Sequence, residues 1–114
     1  MERVRILNYL QELRTKLDFP YQLIFADRED FNKSIRKLGM RPIEIPDVLR
    51  SLEPEDYSEG PHQHFGGPLE YWVFGKEVKG VEIYIKIVVN TKRGIIICVS
   101  FHESIRPMTF PLRL

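Results

Sequence analysis

Tyr84, Lys86, Ser100 and His102 are the residues of this chain whose types and spacing could do chemistry. They stand at alternate positions of two neighbouring apolar segments. A phenol, an ammonium, a hydroxyl and an imidazole gathered on one surface are what an acid/base site needs. Histidine suits proton transfer near neutral pH. His62 and His64, in an earlier segment, are further proton-transfer candidates, and Lys92 and Arg93 are candidate anion contacts.

The elements that must position these groups are strands. Val81, Ile83, Ile85, Ile87 and Val89 alternate with Glu82, Tyr84, Lys86 and Val88. Ile95, Ile97, Val99 and Phe101 alternate with Ile96, Cys98, Ser100 and His102. Period-two alternation predicts strands with one face in the core. Packing both apolar rows on one side puts the other rows together on the open side. With Val89 opposite Ile95, Tyr84 faces Ser100, Lys86 faces Cys98 and Glu82 faces His102. Tyr84 and His102 are then diagonal neighbours, roughly 7–8 Å apart between backbones. A one-residue slip would turn an apolar row to water, so this register is the expected one. Residues 69–78 form the preceding strand, joined through Lys79-Gly80 as a two-residue turn. That pairing sends Trp72, Phe74 and Val78 to the core and leaves Tyr71 and Val73 beside Lys86.

Helices precede the strands. Val4, Leu7, Leu10, Leu13 and Leu17 predict one amphipathic helix, closed by Pro20. Residues 21–26 read as a short strand. Asp27 is placed to cap a second helix carrying Phe31, Ile35 and Leu38, with Gly39 as its C′ residue. Pro46 opens a short third helix, and Pro54 starts an acidic turn. Residues 58–68, SEGPHQHFGGP, contain three glycines and two prolines and read as an irregular loop. The residues after His102 lie along the domain as a tail. Helices first and a three-strand meander after predict the α+β class, with N-terminal helices packed on a small antiparallel sheet.

The 114 residues suit a single domain spanning 1–114, with one core. Hydrophobic residues are 43% and charged residues 29%, as expected of an ordered globular chain. No apolar run approaches the roughly 20 residues of a membrane helix. The N-terminus, MERVRILNYLQELR, is charged throughout and does not read as a secretory signal. The cytoplasm is therefore the expected location. One cysteine, Cys98, allows no internal disulfide and no zinc set. Net charge is +1, which does not advertise a nucleic-acid binder. Its distribution is uneven: residues 41–75 carry two basic against seven acidic side chains, and residues 76–114 carry seven against three. The sheet half can attract a polyanion locally.

The segments IEIPDVLRSLEPEDYSEGP, YWVFGKEVKGVEIYIKIVV and IIICVSFHESIRPMTFP resemble the MqsR family of toxins from bacterial type II toxin–antitoxin modules. The resemblance runs from about Asn32 to the C-terminus. It is carried by the order and spacing of an L-x-x-L-x-x-x-D-Y segment, an x-Y-x-K strand and a final S-F-H strand ending. It implies a RelE-like fold and a metal-independent endoribonuclease that cuts mRNA, free or on the ribosome. It also implies a cognate antitoxin protein as partner, and neither cofactor nor membrane. Family members place a functional tyrosine and lysine at the positions of Tyr84 and Lys86. They place a lysine where this chain has His102. A basic residue of the family falls near Glu59 here, and its glutamine on the preceding strand meets Tyr71 or Trp72. His62 and His64 are the candidates to supply the missing basic function.

RNA can be cut without metal by its own 2′-hydroxyl, given a base, a cation at the phosphorus and an acid for the leaving oxygen. The expected roles follow. His102 is general acid or base, and His62 or His64 the second proton-transfer group. Lys86 contacts the scissile phosphate, Lys92 or Arg93 a flanking one, and Tyr84 orients the phosphate or the 2′-hydroxyl. Tyr71 is a platform for base stacking. Each residue also has a plain structural reading. His102 can be a surface residue, Tyr84 a strand former and Lys86 a solubilising charge. Cys98 reads as an inert half-buried thiol. Two alternatives stand beside the nuclease: the same fold as a catalytically inactive interaction or regulatory protein, and a metal enzyme built on His62, His64 and His102.

Overall fold

A computed structural model describes residues 3–18 and 22–113. Three helices, α1 (Arg3–Asp18), α2 (Arg28–Lys37) and α3 (Ile45–Arg50), accompany five strands. The strands are β1 (Gln22–Phe25), β2 (Tyr57–Gln63), β3 (Glu70–Val78), β4 (Val81–Asn90) and β5 (Ile95–Glu103). They form one mixed sheet in the order β1-β5-β4-β3-β2. The class is α+β as expected, but the sheet corrects the expected three antiparallel strands. β1 pairs with β5 in parallel, and β2 adds a second edge beside β3. Residues 57–63 are therefore strand, where Gly60 and Pro61 suggested a loop. An edge strand tolerates such residues, because one side of its backbone needs no ladder partner and bulges absorb the misfit. The expected helix stop at Pro20 and strand start at Tyr21 lie outside the described residues.

The helices cover one face of this sheet. The buried stripe of α1 is Ile6, Leu10, Leu13 and Leu17, each one turn from the next. Val4, expected in that stripe, is 64% exposed, because choosing Ile6 rotates the buried face away from it. Asp27 caps α2 by accepting from the Asp30 backbone N–H at 3.0 Å, and Gly39 follows at φ +68°. Phe31 of α2 stacks on Phe25 of β1 and meets Phe101 of β5 edge-on. Tyr9 of α1 stacks on Trp72 with ring centroids 4.2 Å apart. Trp72, Phe74, Ile83, Ile85 and Ile87 complete the core from β3 and β4. The β3–β4 turn is Lys79-Gly80, at φ +53° and +80°, the double left-handed geometry of a tight hairpin.

The β4–β5 register differs from the expected one. Asn90 pairs with Ile95 and Val89 with Ile96, down to Ile87 with Cys98. A bulge then inserts Val99, and the pairing resumes as Lys86 with Ser100, Ile85 with Phe101 and Tyr84 with His102. The inner row of β5 is Ile96, Cys98 and Phe101, all buried, whereas Ile95, Ile97 and Val99 sit half-buried on the open face. The run Ile95-Ile96-Ile97 satisfies either parity, so alternation could not choose between them. The bulge has a direct consequence for the site. Unbroken alternation from Cys98 would send Ser100 and His102 into the core. The extra residue switches parity and turns both to the open face.

Candidate active site on the open sheet face

Two ladder rows build the site. Gly75, Tyr84 and His102 lie side by side on β3, β4 and β5. The next row runs Val73, Lys86 and Ser100, continued on β2 by Glu59 opposite Val73. Residues 104–113 leave β5 and cross the open face as a strap. The Ser104 N–H donates to the Glu82 carbonyl at 2.9 Å where the strap begins. Met108 and Phe110 lie over Gly75, where a Cβ would come within 2.7 Å of Met108 Sδ and Phe110 Cζ. Arg113 donates to the Glu55 carbonyl at 3.1 Å and reaches Asp56 Oδ1 at 3.4 Å. Asp56 is buried, and Lys76 Nζ at 3.2 Å and the Glu53 N–H at 2.9 Å also hold it.

Strap and sheet enclose a cleft of about 650 Å³. Its walls carry Tyr84, Lys86, Ser100 and His102 from the sheet, Glu59 from β2 and Arg106 from the strap. The Tyr84 and His102 rings stack at 5.2 Å with 12° between their planes. His102 Nδ1 is 2.9 Å from the Glu103 carbonyl, which can only accept, so Nδ1 carries a hydrogen. Nε2 is left as the nitrogen free to exchange a proton. Burial, then the Glu59 carboxylate and Tyr71, hold the Tyr84 hydroxyl above the usual phenol range. Tyr84 is therefore a hydrogen-bond donor at neutral pH, not a phenolate. Lys86 Nζ stands 4.0 Å from the Tyr71 ring centroid, a cation over an aromatic face.

The remaining sequence candidates lie elsewhere. His62 is opposite Tyr71 on β2, with ring centroids 5.1 Å apart, and its Nε2 is 3.8 Å from Glu59 Oε1. It stands behind Glu59 and does not line the cleft. His64 packs against Phe65 in the β2–β3 loop. Lys92 and Arg93 are exposed in the β4–β5 turn. That turn begins beyond Asn90, four residues from Lys86 and so about 13 Å along the strand by a rise of about 3.3 Å per residue. It borders a different depression, with Tyr9, Pro68 and Glu70. Cys98, expected on the open face, is buried on the helix side, where burial pushes its thiol up to about 12.

Arg106 was not among the sequence candidates, since the tail has no periodicity from which its course could be read. Glu59 stood out in the sequence only through the resemblance, as an acidic residue where that family has a basic one. Among the described residues, no three His, Cys, Asp or Glu side chains are grouped to hold a metal ion. Among the same residues, no helix is long and apolar enough to cross a membrane. Comparisons with protein-family models, with curated proteins and with solved structures found no match.

Proposed function

We propose that this protein is a metal-independent endoribonuclease, acting in the cytoplasm as the toxin of a type II toxin–antitoxin module on a RelE-like scaffold. The observation that carries the reading is the convergence of Tyr84, Lys86, Ser100 and His102 with Arg106 in one solvent-open cleft. A phosphodiester there meets two cations, a protonated phenol and an imidazole with one free nitrogen. Lys86 and Arg106 offset the charge that grows on the non-bridging oxygens as the 2′-oxygen attacks. Tyr84 donates a hydrogen bond to the phosphate. His102 Nε2 transfers a proton at one end of the reaction, either from the 2′-hydroxyl or to the leaving 5′-oxygen. Tyr71, expected as a stacking platform, has Lys86 over its ring at 4.0 Å and does not line the cleft, so its part here is to hold that cation. The substrate in this reading is mRNA, and a cognate antitoxin keeps the cleft silent.

The test is cleavage of an RNA oligomer by the purified chain in EDTA. The expected products end in a 2′,3′-cyclic phosphate and a 5′-hydroxyl, and His102→Ala and Tyr84→Phe both lose activity while remaining folded. Expression alone is expected to arrest growth, and either variant to relieve the arrest. Cleavage that needs added zinc or manganese, or a 5′-phosphate product, refutes the reading in favour of metal-assisted hydrolysis. A folded protein that neither cuts RNA nor slows growth favours an interaction module.

A further inference from the structure

Cleavage by a 2′-hydroxyl needs two proton-transfer groups, one at each end of the reacting phosphate. The cleft contains one imidazole. His62 and His64, the sequence candidates for the second role, stand outside it. Tyr84 is held protonated, and the ammonium of Lys86 and the guanidinium of Arg106 are donors with no lone pair to take a proton. Among the described residues that line the cleft, Glu59 is the one remaining group able to accept a proton.

We infer that Glu59 is the general base of this cleft and His102 its general acid. The inference rests on the nuclease reading above and deepens it. It also reverses the sense of Glu59, which in the sequence marks a departure from the family pattern.

Backbone geometry supports the pairing independently of charge. Tyr57 and Glu59, two residues apart, would share a face in a regular strand. Instead Tyr57 is buried opposite Phe74 and Glu59 faces outward opposite Val73, because the β2–β3 register shifts between them. A second shift follows between Glu59 and His62. Gly60 secures it: φ is +117°, and a Cβ would come within 2.9 Å of the Tyr71 carbonyl. The Tyr57 hydroxyl donates to the Gly60 carbonyl at 2.5 Å. Each proposed proton-transfer residue thus follows a bulge that turns it onto the open face, Glu59 on β2 and His102 on β5. Glu59 shares a row with Ser100, and His102 lies two residues further along β5, so the two backbones stand about 16 Å apart by the usual strand spacing and rise. Both side chains line the same cleft, with Tyr84 and Lys86 on the strand between them.

The step balances. Glu59 takes the 2′-hydroxyl proton as the 2′-oxygen bonds to phosphorus. The bond from phosphorus to the 5′-oxygen breaks, and that oxygen takes the Nε2 proton of His102, which enters the step as the imidazolium with a hydrogen on each ring nitrogen. The products are a 2′,3′-cyclic phosphate and a 5′-hydroxyl. Glu59 is left protonated and His102 neutral, and exchange with water restores both.

The charged and titratable groups around Glu59 are Tyr57 and His62 on its own strand, Tyr84 and Lys86 on β4, His102 on β5 and Arg106 on the strap. The decisive measurement is kcat/KM of the full chain on an RNA oligomer, in EDTA, across acidic to alkaline pH. Wild type is expected to give a bell, with an acidic limb from Glu59 and an alkaline limb from His102. Glu59→Gln should lower the maximum by about 10²- to 10⁴-fold and abolish the acidic limb while the alkaline limb persists. His62→Gln should keep the acidic limb, and an unchanged melting temperature confirms that each variant is folded. A Glu59→Gln enzyme with the wild-type rate and profile overturns the inference but leaves the nuclease reading standing. Loss of the acidic limb in His62→Gln instead makes His62 the base and likewise overturns it. Wild-type protein that yields no cyclic phosphate overturns both.

Discussion

Gly75→Ala probes the strap that walls the cleft. The added Cβ would lie 2.7 Å from Met108 Sδ and Phe110 Cζ and 2.8 Å from Phe110 Cε1. The chain has two ways to respond. It can hold the strap and absorb overpacking, at about 1–3 kcal/mol. Or it can lift Met108 and Phe110, losing part of the roughly 1.5–3 kcal/mol that full burial of such a side chain contributes. Both side chains are only half-buried, so either route costs about 1–2 kcal/mol. Removing the ring separates this clash from simple loss of packing. Phe110→Ala alone should cost about 1 kcal/mol, since it forfeits about half of a full burial. In the double variant the alanine at position 75 meets only the flexible end of Met108. The pair should therefore be less destabilised than the two single effects together, by about 1 kcal/mol of coupling. The assay is denaturant unfolding of the four proteins, with m-values compared to check that the unfolding transition is the same. Single effects that add within about 0.5 kcal/mol refute the contact between strap and sheet.

Other perturbations have equally definite outcomes. Asp56→Ala removes the buried acceptor of Lys76, Arg113 and the Glu53 N–H; the two cations are partly exposed and can rehydrate, so the loss should be about 1–3 kcal/mol by denaturant unfolding, with a looser strap end. Gly60→Ala meets backbone at 2.9 Å with φ at +117°, so it should destabilise far more than Gly66→Ala, where a Cβ meets nothing within 4 Å; thermal melts rank the two. The Cys98 thiol has its folded pKa raised from 9.0 to about 12 by burial, so the folded state holds this proton longer than the unfolded state does. Its contribution to stability is fully present below pH 9 and is lost as pH climbs towards about 12, which melts of wild type and Cys98→Ala over that range should show. Alkylation of the native thiol at pH 8 should be slow and become fast in denaturant, and rapid native labelling would contradict the burial.

Much of the architecture could be read from residue order. The caps and stripe of α2, the Lys79-Gly80 turn and the inward row of Trp72 and Phe74 follow from local rules of spacing and turn chemistry, and the structure contains each. Tyr84 and Lys86 were legible as neighbours because an unbroken alternation from Ile83 to Ile87 sets their face. The β5 row was not, because three consecutive isoleucines permit two parities and a bulge leaves no mark on composition. β2 was not, because Gly60 and Pro61 are breakers everywhere except on a bulged edge.

Sequence alone determined that Tyr84, Lys86, Ser100 and His102 were available for chemistry and that strands would carry them, since side-chain type and period-two patterning are local properties. Tertiary structure decided which of those groups meet. Pairing of β1 with β5, the bulges beside Glu59 and Ser100, and the strap over Gly75 depend on backbone partners distant in the chain. Those pairings gather Glu59, Tyr84, Lys86, His102 and Arg106 while leaving His64, Lys92 and Arg93 outside. A register is a relation between two segments, and neither segment contains it.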